Sequence, residues 1–176
     1  MSETVSDHHQ IKTVSSFKEL INREFQGDNN AMCLQRNLVG DFGEIVSKLE
    51  LKNNITEVSV EDLENLTLTD HGELAREIII NDLRLLADFG ASPSLNLIKN
   101  YERDDELDFI STDVYSYHVD RSPIATSTSL CTYFGAASDI LPNDQAIQKI
   151  LIPEIREKLR ELHDGKEAVS YTHLRA

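Results

Sequence analysis

The residues with the clearest chemical potential are His118 and Asp120, which flank Val119 in the run Val114-Tyr115-Ser116-Tyr117-His118-Val119-Asp120-Arg121-Ser122-Pro123. Side chains alternate across an extended chain, so a strand reaching Asp120 presents the imidazole and the carboxylate on one face and Val119 on the other. One His and one carboxylate are two of the three ligands of the facial triad that holds non-haem Fe(II) and leaves positions open for oxygen and a cosubstrate. The third ligand would be a distant His. Composition alone supplies roughly half a His-x-Asp per chain of this make-up by chance, so the weight falls on context. Residues 114–118 are rich in β-branched and aromatic types, Arg121-Ser122-Pro123 is turn chemistry, and residues 124–134 form a second β-type run. A strand, a ligand pair at its end, a tight connection and a returning strand suit a small β-barrel metal site. The alternative is an ordinary strand-end pair.

The elements that must position this pair begin with helices. Ser16 can cap a helix to about Phe25, Ala31 to Arg36 reads as a strand, and Asp41 can cap a helix burying Phe42, Ile45, Val46 and Leu49. The strongest periodicity predicts a helix from Asp70 to about Phe89, with Leu74, Ala75, Ile78, Ile79, Leu83, Leu86 and Ala87 on a wide apolar face and Gly90 ending it. Strands are expected at 94–101, 112–118 and 124–134. The last has hydroxyls on both faces, which suits a wall between a polar pocket and a partly covered exterior, or equally an edge strand. Asn143 can cap a helix with Ile147, Ile150 and Leu151 inward, and Pro153 opens another running to about His163. Cys33 and Cys131 are expected to be buried, reduced thiols.

Four segments carry a resemblance: Leu34-Gln35-Arg36-Asn37-Leu38, Leu86-Ala87-Asp88-Phe89-Gly90, His118-Val119-Asp120-Arg121-Ser122-Pro123 and Cys131-Thr132-Tyr133-Phe134-Gly135. Together they resemble a bacterial protein family of unknown function with a His-Val-Asp-Arg-x-Pro motif and a Cys-Thr-Tyr-x-Gly strand. That family in turn looks like the Fe(II)- and 2-oxoglutarate-dependent dioxygenases. After Gly135 the chain reads Ala136-Ala137-Ser138-Asp139, where relatives tend to carry a Gly-Thr-Glu-Trp-like sequence. The resemblance implies an α+β fold in which N-terminal helices pack on an incomplete double-stranded β-helix, a jelly-roll or cupin-like sheet. It implies Fe(II) and 2-oxoglutarate as cofactors, His118 and Asp120 as metal ligands, and no catalytic side chain beyond them. Arg121, Thr126, Thr128 and Tyr133 are the candidates for contacts to substrate or cosubstrate.

The missing His directs attention to the C-terminus. Residues 168–176 look like the translation of a sequencing adapter read through from a truncated gene, so His173 and Arg175 are set aside as imitations of a third ligand and a cosubstrate-binding Arg. The expected organisation is a mobile tail over 1–14, a truncated domain over 15–167 and a non-native tail over 168–176. The chain has 176 residues, 40% of them hydrophobic and 27% charged, which suits a globular domain. It holds no apolar run of membrane-spanning length and no secretory signal, so the cytoplasm is expected. A net charge of -14 disfavours nucleic acid and anionic membranes as partners. The acidic stretch Glu102 to Asp108 lacks EF-hand spacing, and there is no Gly-rich phosphate loop, nucleophile elbow or His-Glu-x-x-His helix. Two readings follow: an Fe(II)/2-oxoglutarate oxygenase of unknown substrate, inactive without its third ligand, or a non-catalytic β-barrel module that binds a ligand or partner.

Overall fold

The computed structural model describes residues 10–101, 103, 107–110, 114–120, 124, 126–162 and 173–174, with 119–120 and 173–174 given by their backbone alone. Arg121, on which one expectation falls, lies outside the described residues. The chain divides into two units: residues 1–99 with 132–136, and residues 100–131 with 137–176.

The first unit opens with β1 (Ile11–Val14), helix α1 (Phe17–Asn22) and β2 (Ala31–Leu34), the two strands pairing in parallel with Ile11 opposite Ala31 and Val14 opposite Leu34. Parallel neighbours need a crossover connection, and α1 supplies it. Ser16 caps that helix by accepting from the Glu19 N–H at 3.1 Å, and the Glu19 carboxylate accepts in return from the Ser15 N–H at 2.9 Å. The stretch expected to end a mobile tail thus contributes a strand, and Val14 is 4% exposed.

Helix α2 (Phe42–Lys48) starts where Asp41 Oδ1 accepts from the Glu44 N–H at 2.9 Å. Strand β3 (Ile55–Glu57) follows, then helix α3 (Val60–Glu64), closed by a reciprocal capping box between Ser59 and Asp62. Helix α4 (Asp70–Asp88) is capped by the Thr69 hydroxyl. At its other end the Ala91 N–H reaches the Leu86 carbonyl at 3.0 Å and the Gly90 N–H reaches Ala87 at 2.9 Å, a Schellman motif for which Gly90 takes φ +95. Strand β4 (Asn96–Ile98) then returns antiparallel to β3, Ile55 opposite Ile98. The core of this unit gathers Phe42, Ile45, Val58, Leu63, Ala75, Ile79 and Ile80, with Leu38, Leu83, Leu97 and Tyr133 packed around it. The start of α2 sits on α4: the Asp41 N–H donates to the His71 carbonyl at 2.9 Å, and a Cβ on Gly40 (φ +115) would lie 2.6 Å from the Ala75 nitrogen.

In the second unit, Ile110 and Leu159 are each 3% exposed, and Lys158 Nζ lies 5.1 Å from the centre of the Phe109 ring. Strand β5 (Val119–Asp120) pairs antiparallel with β6 (His173–Leu174), Asp120 opposite His173. The segment expected to be extraneous therefore meets the His118 region through two backbone pairs. Single 3-10 turns span Asn143–Gln145 and Lys149–Leu151, and helix α5 (Pro153–Leu162) begins with proline in its first turn.

The double-stranded β-helix expected from the resemblance is not what the chain forms. Among the described residues there are five helices, two small two-stranded sheets and the two-residue pairing of β5 with β6, with no closed barrel or jelly roll. The described part of 124–134 joins no ladder: its Ser and Thr residues favour extended chain but give neither face enough apolar surface to bury. The helix expected from Asn143 is reduced to the two 3-10 turns. Pro153 disfavours the helical region at Ile152, whose φ -79 and ψ 119 are extended, and no residue from 143 to 151 is buried. Cys131 is exposed rather than buried, Cys33 is half-buried, and neither forms a disulfide.

Candidate functional site

His118 is half-buried just before β5, and its Nδ1 lies 2.9 Å from the Ser116 carbonyl oxygen. A carbonyl oxygen only accepts, so Nδ1 carries the proton and, in the neutral ring, Nε2 carries the lone pair. That tautomer is the one a metal would require of Nε2. Asp120 follows within the β5 ladder; its side chain lies outside the described residues. Among the described residues no group of three or more His, Cys, Asp and Glu is placed to hold a metal ion. The fit to a facial triad therefore extends to one ligand with its tautomer set and to the position of a second in the chain. Thr126 and Thr128 are exposed and outside any strand.

Tyr133 goes elsewhere. Within the first unit its hydroxyl donates to Asp82 Oδ2 at 2.9 Å, and its ring stacks on Phe42 with centroids 5.6 Å apart and planes at 18°. Asp82, on α4, is 9% exposed and is held by Arg36 in a two-pronged ion pair, Nη1 to Oδ1 at 2.7 Å and Nη2 to Oδ2 at 2.6 Å. Three charge-assisted hydrogen bonds thus converge on one buried carboxylate, and the planar fork of Arg36 matches both of its oxygens. Arg36 and Tyr133 belong to two of the four quoted segments, and Asp82 is what joins them. Sequence reasoning passed over Asp82; the available signal was a lone acid between Ile78, Ile79, Leu83 and Leu86. Its chemistry is anchoring, because Arg36 balances its charge and Tyr133 adds a third donor.

A second carboxylate ties α2 to α4. Glu44 Oε1 accepts from Lys48 Nζ at 2.7 Å, Oε2 accepts from the Thr69 hydroxyl at 2.6 Å, and the Thr69 N–H adds a bond at 3.1 Å to Oε1. These bonds, Lys48 first and Thr69 second, hold its pKa down at about 2.

In the second unit the Tyr115 hydroxyl accepts from the Tyr101 N–H and donates to the Tyr101 carbonyl, both at 3.0 Å. The two rings meet edge to face at 6.2 Å, and the Arg103 guanidinium lies 4.6 Å from the Tyr115 ring centre. This clip joins Tyr101 to Tyr115. Comparison of the chain with protein-family models, with curated proteins and with solved structures gives no match. Among the described residues no helix is long and apolar enough to cross a membrane.

Proposed function

We propose that this chain binds a divalent metal through His118 Nε2 and the Asp120 carboxylate, and that the activity such a site serves is that of an Fe(II)- and 2-oxoglutarate-dependent oxygenase of unknown substrate. The observation that supports this reading is the bond between His118 Nδ1 and the Ser116 carbonyl. A ligating imidazole usually donates its other ring N–H to a carbonyl or carboxylate, which fixes the ring and raises the basicity of the ligating nitrogen. The reading rests on the site and not on the fold, since the described sheets are two-stranded. Fe(II) and 2-oxoglutarate, when bound, would supply the oxygen-activating chemistry. The chain's part is to hold the His118 ring through Nδ1–H and to place Asp120 two residues on. Arg121, Thr126 and Thr128 remain candidates for substrate contact, whereas the Tyr133 hydroxyl is committed to Asp82. The charge of -14 argues for a substrate other than nucleic acid or an anionic membrane.

The test is an anaerobic Fe(II) or Co(II) titration of a chain carrying His8→Ala and His9→Ala, so that the N-terminal pair adds no background. In that chain His118→Ala and Asp120→Ala are each expected to weaken binding at least tenfold, on the order expected for loss of a ligand or its support. Undiminished binding in the double variant would refute the site. Succinate formation from 2-oxoglutarate, Fe(II) and oxygen then separates an oxygenase from a metal-binding module.

One observation favours the second reading, a partner-binding module without catalysis. In the second unit Ile124, Leu130, Ile147 and Leu151 are 73%, 78%, 74% and 69% exposed, large apolar side chains that a partner could cover. A flat metal titration would leave this reading in place.

A further inference from the structure

We propose that residues 132–136 form a releasable strap across the first turn of α2, with Asp82 as its catch. These five residues belong with the first unit although the chain on both sides of them belongs with the second. They lie outside any helix or strand, and two consecutive aromatic side chains grip two consecutive residues of α2. Tyr133 stacks on Phe42. Phe134 lies where Gly43 has no side chain, since a Cβ there would come within 3.2 Å of Phe134 Cε2. The Tyr133 hydroxyl then fastens the pair to Asp82 at 2.9 Å.

The catch is built so that release leaves the Arg36–Asp82 ion pair in place. If Tyr133 departs, Asp82 keeps both bonds from Arg36, so no buried carboxylate is left without a partner. The losses include one hydrogen bond to a charged acceptor and the cover over Phe42, which is 8% exposed with the strap in place. The ion pair therefore holds the segment after β2 to α4 while the phenol holds the strap, and the two can separate. This inference is independent of the metal reading and involves none of its residues.

Limited chymotrypsin digestion of the full chain tests it, with cleavage after residues 133 and 134 followed by mass and normalised to the same bonds in the unfolded chain. When opening and closing outpace cleavage, the nicking rate follows the open population. Tyr133→Phe removes the catch and keeps a cleavable aromatic residue; it is expected to raise nicking at 133 and 134 about tenfold, the weight of one hydrogen bond to a charged group. Cleavage after Leu85, Leu86 and Phe89 in and beside α4 is expected to stay unchanged. Gly43→Ala leaves Tyr133 and Asp82 in place; its Cβ would lie 3.2 Å from both the Phe134 ring and the α2 cap oxygen Asp41 Oδ1, and it is expected to act in the same direction at 133 and 134. Unchanged rates at 133 and 134 in both variants would overturn the strap. So would a parallel acceleration in α4, which would make the segment an ordinary part of the core.

Discussion

Asp82 lies inside the apolar face of α4, where an ionised carboxylate is stable only while its donors stay in place. Removing Arg36 leaves a buried carboxylate short of its charge partner, and removing Asp82 takes from Arg36 the acceptor that fixes it on α4. Asp82→Ala is therefore expected to lower unfolding stability by roughly 2–4 kcal/mol, reduced from the fully buried case because the Arg36 side chain is 33% exposed. Denaturant titration of Asp82→Ala, Arg36→Ala and the double variant checks this: the double loss should fall well short of the sum, and additivity would show that the pair does not interact. Glu44 acts through pH instead. Its folded pKa, about 2, lies below its ordinary value near 4.5, so its contribution is fully present above that value and is lost as pH falls toward 2. Glu44→Gln should flatten the stability profile between those limits when thermal midpoints are read across pH; an unchanged slope would assign the acid dependence to other carboxylates.

At the scale of elements, a contact without side-chain chemistry makes the sharpest prediction. Gly40 holds φ +115 with its Cα hydrogen facing the α4 backbone, and a methyl group would meet the Ala75 nitrogen at 2.6 Å. Gly40→Ala is expected to cost about 2 kcal/mol or more, from left-handed strain together with separation of α2 from α4; a variant melting within a degree of the parent would contradict that packing. Helices α1, α2, α4 and α5 were the legible part of the fold, whereas α3 was not read and the helix expected from Asn143 is two 3-10 turns. Asp41 and the spacing of Phe42 and Ile45 mark α2, and the period of Ala75, Ile79 and Leu83 with Gly90 behind it marks α4, because caps and apolar stripes are local signals. The strands were legible only in part. Ser127, Thr128, Ser129 and Thr132 favour extended chain, but pairing depends on a buried face that this segment lacks, and that is a tertiary condition. The candidate metal pair was legible as a motif, while the Ser116 bond that sets the His118 tautomer depends on a bend between them. Asp82 stayed hidden because its partners stand 46 and 51 residues away.

For the whole molecule, a charge of -14 sets a like-charge repulsion against every compact arrangement. Salt screens it, the Debye length falling from about 10 Å at 0.1 M to about 3 Å at 1 M. The thermal midpoint should therefore rise by a few degrees between low and high sodium chloride, and a flat or falling midpoint would show that favourable ion pairs outweigh the repulsion. The β3–β4 ladder has a further consequence in the order of synthesis. Ile55 is paired with Ile98, so β3 leaves the ribosome without its partner and must wait while α3 and α4 are made. At about 5–20 residues per second that wait lasts roughly 2–9 s, far longer than a helix takes to form. The caps at Ser59 and Thr69 and the closing turn at Gly90 can therefore be complete before any strand in this stretch finds its neighbour. During translation α4 is the surface on which the later chain condenses: β4 arrives after it to pair with β3, and Tyr133 follows later to reach Asp82.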